Sequence, residues 1–312
     1  MSDITTPVAP KLEPAALPPV DDVNAPPPPL AVPVTEATEL SQLTTAQVYE
    51  LNQSLLDEAS DVERPLIDQL LPISALRAEY ENGNPAFTKQ IDWLTEKGYQ
   101  YIRRTRGDGD CFYRSLAFAY VEQIMSSIQP DDSAQKALTV LRDTKPMLEQ
   151  AGFQEIVYQD FYEELESLLL RVLRPNEITH QRLDTVTLLQ SFQTPEVSNS
   201  IVVYLRLLTS AQVRADPDAF APFLFHPEIG EPLEVREFCE AFIEAVGKEA
   251  DHVQMTALSR ALGLNVDVAY LDGRDSSGQV DFVQFRNPEG STLTPITLLY
   301  RPGHYDILLN MG

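Results

Sequence analysis

Cysteine is scarce in this chain, with two in 312 residues, Cys111 and Cys239. A disulfide framework is not expected at that count, and with no export signal visible the expected compartment is reducing. Basic charge is scarce as well. Lys and Arg number 23 against 47 Asp and Glu, for a formal net charge of −24 and a pI near 4.4. Such a surface repels nucleic-acid phosphates and anionic membranes and suits a basic protein partner. No stretch approaches the roughly 18 apolar residues that span a bilayer. The opening residues Met1–Thr5 show no basic stretch leading into an apolar core. The expectation is a soluble monomer of the cytoplasm, with the nucleus also open to it. Neither a CxxC pair nor an HExxH helix occurs, and Gly107-Asp108-Gly109 lacks the lysine and further glycines of a phosphate loop. Neither metal nor cofactor is therefore expected. No internal repeat points to a solenoid or propeller.

What the chain does have is a loop, Arg106-Gly107-Asp108-Gly109-Asp110-Cys111-Phe112-Tyr113-Arg114. Two glycines allow backbone angles closed to other residues, and Phe112, Leu116, Ala119 and Tyr120 follow at helical spacing. Cys111 is thereby placed at the start of a buried helix. Unpaired amides and the positive end of the helix dipole favour a thiolate there, and the same amides can hold a developing oxyanion. The Asp108–Cys111 loop, with Gly109 and Asp110, is the candidate oxyanion site. Asp108 is expected to order it by accepting backbone amide bonds.

A nucleophilic cysteine needs a base, and there are four histidines to choose from. His304 stands in Leu298-Leu299-Tyr300-Arg301-Pro302-Gly303-His304-Tyr305-Asp306-Ile307, which reads as strand, Pro-Gly turn, strand. Residues two apart on a strand point the same way. Asp306 thus lies beside His304, where it can fix the tautomer while the other ring nitrogen faces the sulfur. Of the rivals, His252 opens an amphipathic helix and reads as a packing residue, while His180 and His226 read as surface. Cys239 falls with Val235, Phe238, Phe242 and Val246 on a helix face and reads as core.

These segments together resemble the ovarian-tumour (OTU) cysteine proteases, and specifically their otubain branch. The resemblance runs from about Ile73 to the C-terminus and includes Tyr101–Arg106, Val202–Ser210 and Val235–Cys239, in the same order as in the family. It implies an α+β papain-like OTU fold, a small β-sheet flanked by a helical lobe, and a Cys111/His304/Asp306 triad with Asp108 in the active site. It also implies a deubiquitinase acting on ubiquitin and polyubiquitin. Because the family includes non-catalytic inhibition of ubiquitin-conjugating enzymes, a weakly active module that holds ubiquitin or such an enzyme is the alternative. The family pattern has Asn before the cysteine, and this chain has Asp110. A carboxylate facing the pocket would oppose thiolate and oxyanion alike. Alternation along an extended loop turns it instead toward solvent, where Asn would be a silent replacement.

Residues 1 to about 40 hold ten of the 24 prolines and no periodic apolar pattern, and read as a disordered tail. Residues 41–72 read as a helical arm, with Val48, Leu51, Leu55 and Leu56 on one face and a second short segment over Leu66–Leu71. By resemblance this arm contacts the second ubiquitin of a chain; its leucines could equally cover the core. Residues 73–312 form the catalytic domain. Asn84 caps a helix begun by Pro85, and Asp160 with Glu163 reads as a capping box in a helical lobe. Asp251 caps a further helix, and strands gather at the end of the chain around His304.

Overall fold

The computed structural model describes residues 64–175, 180–227, 229–273, 277–287 and 293–310. The expected tail over 1–40 and most of the expected arm lie outside them. Six strands form one sheet: β1 (Ile67–Pro72), β2 (Tyr101–Thr105), β3 (Val266–Tyr270), β4 (Asp281–Phe285), β5 (Ile296–Arg301) and β6 (His304–Leu309). Their spatial order is β1-β2-β6-β5-β3-β4, and only the β3/β5 pair is parallel.

Alternation along the strands sends successive side chains to opposite faces. Val268, Leu298 and Ile307 pack toward helix α3 (Cys111–Ser126), whereas Ala269, Leu299 and Leu308 meet Ile73, Leu76, Ile91 and Leu94. Those four belong to α1 (Ile73–Glu79) and α2 (Pro85–Glu96). Asn84 caps α2 as expected, its Oδ1 accepting from the Ala86 amide at 3.0 Å.

Twelve of the sixteen residues of α3 are buried, so this helix is enclosed on all sides rather than amphipathic. It lies on β5 and β6 and is covered by α4 (Pro130–Asp143), α7 (Thr185–Gln193) and α8 (Pro195–Ala215). Between α4 and α7 come α5 (Lys145–Gln150) and α6 (Glu155–Leu173), completing the helical lobe. After α8 the chain runs through the short turns α9 (Pro217–Phe220) and α10 (Val235–Phe238) to α11 (His252–Leu262). Helices thus dominate the middle and the sheet is built mainly from the end, the expected α+β arrangement.

Three expectations are corrected. Ile67–Pro72 is a strand, not part of a helical arm: it pairs antiparallel with β2, and Asp68 O accepts from the Arg103 guanidinium at 3.0 Å. A short apolar run has no helical or strand period of its own, and the open edge of β2 decides the matter. As a result the sheet recruits two strands from before Cys111. Asp160 does not begin a helix, since α6 starts at Glu155 and its buried period, Tyr158, Tyr162, Leu165, Leu168, Leu169 and Val172, opens before it. Cys239 is fully buried as expected, but Val246 is 60% exposed because the helical winding ends with the π-turn Cys239–Ile243 and Val246 falls in the turn beyond it.

Candidate active site

Cys111 is the first residue of α3, and its side chain is 2% exposed. His304 opens β6. The antiparallel register of β5 and β6 pairs Arg301 with His304 across the Pro302-Gly303 turn and Leu299 with Asp306. Strand alternation then sets His304 and Asp306 side by side, with Nε2 of His304 at 2.8 Å from Oδ1 of Asp306. The Cys111 sulfur lies beside the same imidazole, near enough to raise its pKa, and with Nε2 committed to Asp306 the other ring nitrogen is left to serve the sulfur. Sequence positions nearly two hundred apart meet because α3 lies directly on β6. Ser115, one turn along α3, reinforces that contact. Its hydroxyl shares a 2.7 Å hydrogen bond with Thr105 of β2 and donates to Tyr305 O at 3.3 Å.

Asp306 has no exposed surface and is held by three donors. Oδ1 accepts from His304 and from the Thr105 amide at 3.0 Å, and Oδ2 accepts from Arg301 Nη2 at 2.6 Å. Burial pushes its pKa up, yet Arg301, His304 and these bonds outweigh burial and hold it at about 2. His304 shows the reverse balance: burial pulls its pKa down, while the Asp306 charge, the bond to Asp306 and the neighbouring Cys111 raise it to about 10. The site is therefore arranged for an imidazolium beside a carboxylate, with the thiol on its other side. Glu249 stands at the rim, where a side chain at Gly303 would meet its carboxylate. Burial raises Glu249 and the charge of His304 opposes the rise.

The loop before Cys111 is tied from both sides. Asp108 Oδ1 accepts from the Asp110 amide at 3.1 Å and from Arg114 Nη1 at 2.8 Å, as expected of a residue that orders the loop. Arg114 is itself wholly buried and bonds Ser198 and Asn199. The Asp110 amide is engaged by Asp108, and the Cys111 amide, in the first turn of α3 where no intrahelical acceptor exists, is available to an oxyanion. Gly109 sits at φ 76°, and a Cβ there would come within 2.2 Å of Gly247 O, so backbone approach as well as conformation demands glycine.

The family model described as Peptidase C65 Otubain matches residues 59–310. The chain belongs to the otubain family. It is 34% identical over 271 residues to the "OVARIAN TUMOR DOMAIN-containing deubiquitinating enzyme 1" of Arabidopsis thaliana, covering 82% of this chain and 85% of that one. To the human "Ubiquitin thioesterase OTUB1" it is 36% identical over 258 residues, covering 82% and 87%. A solved ceOTUB1 in complex with ubiquitin aldehyde and UBC13~Ub superposes with a TM-score of 0.71 at 28% identity, covering 84% of this chain and all of that one.

The surroundings of Asp110 overturn the expectation of a solvent-facing side chain. It does point away from the cleft, but into the protein. Oδ1 accepts from Arg206 Nε at 2.8 Å and from the Gly247 amide at 3.1 Å, with only 14% of the side chain exposed. The residue that receives it comes from α8, almost a hundred positions away, so loop alternation could give the direction but not the partner. Arg301 was missed too, although it stands within the Tyr-Arg-Pro-Gly-His motif and is the cross-strand partner of His304. The rival histidines lie elsewhere. His252 meets the Tyr270 hydroxyl at 3.2 Å, His226 stacks edge-on against Phe242, and His180 is exposed. Among the described residues no cluster of His, Cys, Asp and Glu is arranged to hold a metal ion.

Proposed function

We propose that this otubain is a thiol-dependent deubiquitinase that hydrolyses the isopeptide bond at the C-terminal glycine of ubiquitin, in polyubiquitin or on protein lysines. Cys111 attacks the glycine carbonyl and forms the thioester bond. The Cys111 amide receives the oxyanion, and protonated His304 delivers its proton to the departing lysine amine. Water then attacks the thioester, giving its proton to His304, and the thiolate leaves. Asp306 holds the imidazole in one tautomer throughout, and Arg301 holds Asp306. The observation that carries this reading is His304, bonded to Asp306, standing beside a cysteine at a helix N-terminus. Relatives called ubiquitin thioesterases supply the substrate class. Incubating ubiquitin chains with the protein and with Cys111→Ala and His304→Ala tests it. Loss of cleavage in both variants is expected, and equal cleavage by all three proteins would refute the triad.

A second reading rests on the structural neighbour, which holds UBC13~Ub as well as ubiquitin aldehyde. It makes a ubiquitin-conjugating enzyme a partner of this chain too, bound without turnover. An electrophile on the ubiquitin C-terminus separates the two: a pure binding module forms no Cys111 adduct.

A further inference from the structure

Arg206 is the hub of a buried cluster that the triad chemistry does not use. Its side chain has no exposed surface and sits on α8, in the middle of the helical lobe. The guanidinium donates to Asp110 Oδ1, to Gly109 O at 3.0 Å, to Ile243 O at 3.0 Å and to Lys248 O at 2.6 Å. It also lies 4.4 Å from the ring centre of Tyr113. Two separate stretches of chain, Gly109–Asp110 and Ile243–Lys248, thus wrap one cation. Gly109 and Gly247 touch between them.

Burying a full charge is costly, and an apolar side chain of similar volume would fill the same space. What it could not do is grip the peptide between Gly109 and Asp110. That peptide has its carbonyl on Arg206 and its amide on Asp108, so its plane is fixed at both ends. The next peptide carries the amide of Cys111. A planar guanidinium with five donors suits such a task, and an ammonium group does not.

We propose that Arg206 is a positioning residue for the reaction: it fixes the Gly109–Asp110 peptide so that the Cys111 amide faces the substrate carbonyl, and it neutralises the carboxylate next to the nucleophile. The acid at Asp110 is then compatible with a thiolate because a cation covers it. This rests on Cys111 being the nucleophile. The charged and titratable groups around the loop are Asp108 within it, Tyr113 and Arg114 on α3, Arg206 on α8, and His304 and Tyr305 on β6, with Glu249 at the rim beside His304. Substituting Asp110 or Arg206 changes the charge of that pair alone.

The test is the pH dependence of Cys111 alkylation by iodoacetamide, followed by peptide mass spectrometry so that Cys239 is read separately. It is run on the full chain and on Asp110→Asn, Arg206→Gln and the double variant. Asp110→Asn keeps an oxygen for Arg206 and Gly247 and removes only the charge, so the profile moves to acid by about one unit. Arg206→Gln uncovers the carboxylate, moves the profile to alkali and slows alkylation about tenfold at pH 6. The double variant returns toward the parent. Hydrolysis of a fluorogenic ubiquitin ester or amide loses kcat in Arg206→Gln with KM kept, since the cluster is buried and cannot touch ubiquitin. If Arg206→Gln does not fold, Asp110→Asn decides alone: an acid shift upholds the pairing and an unmoved profile overturns it. Shifts in the same direction in both single variants also overturn it. A parent protein that alkylates normally but turns over no ubiquitin substrate would sink the deubiquitinase reading instead.

Discussion

Replacing Asp306 by Asn removes one charge and changes almost no volume, which makes its consequences calculable. Both carboxylate oxygens are in use: Oδ1 takes His304 and the Thr105 amide, and Oδ2 takes Arg301. The amide of Asn must set its NH2 against one of these donors, and Arg301, 14% exposed, loses its anion. With its pKa lowered from 3.8 to about 2, Asp306 contributes roughly 2–3 kcal/mol at neutral pH by linkage. Breaking a buried pair from one side typically costs about 3–5 kcal/mol, so about 3 kcal/mol satisfies both arguments. For a domain of this size that is a fall in Tm of roughly 6–12 °C. Because the folded pKa is depressed, the difference between parent and variant is fully present above pH 3.8 and vanishes as pH falls through about 2. The variant also strips His304 of the charge that raises it to about 10, leaving burial to pull it down. At neutral pH the ring is then neutral before the reaction, must first take the Cys111 proton before it can protonate the leaving amine, and forms that imidazolium with no carboxylate to stabilise it, so kcat drops by about 10²–10⁴. Thermal unfolding from pH 3 to 8 and ubiquitin hydrolysis check the two halves. A Tm within about 2 °C of the parent, or a kcat within threefold, would refute this account of Asp306.

Raising the pH on the parent protein is a separate measurement. His304 is raised from 6.5 to about 10, so its share of the stability is fully present below pH 6.5 and is lost as pH rises through about 10; a Tm that climbs over that interval would contradict the ion pair. Gly109→Ala places a Cβ within 2.2 Å of Gly247 O at φ 76°, and should displace the loop and lower kcat at least tenfold, with about 1–2 kcal/mol of strain visible in denaturant unfolding. Unchanged turnover would show that the loop tolerates a shift. Arg301→Met takes the cation from Asp306, raises that carboxyl above about 2 and moves acid unfolding to higher pH; an unmoved acid midpoint would mean that His304 alone sustains the pair. A chain beginning at Ile73 lacks β1, and with it Leu66 and Ile67, 5% and 0% exposed and each giving roughly 1.5–3 kcal/mol on burial. It should lose both chain cleavage and reactivity with a monoubiquitin electrophile, and retention of the second at unchanged Tm would refute a structural role for that strand.

Much of the site was legible in the residues alone because its signals are local. A glycine-bracketed loop running into an apolar helical period put Cys111 at a helix start, and the Pro-Gly turn with a His-x-Asp strand put His304 beside Asp306. Those inferences need only the geometry of one loop, one helix and one strand. What the sequence could not supply was every contact made across the fold. Whether Leu66–Leu71 was helix or strand depended on the free edge of β2. Whether Asp110 met solvent or a cation depended on α8, which presents Arg206 to it from ninety-six positions away. The cation on Asp306 came from the strand register that sets Arg301 opposite His304. Chain periodicity constrains which way a side chain points, but burial and partnership are properties of what packs against it, and those were decided only when the sheet, α3 and α8 closed around the loop.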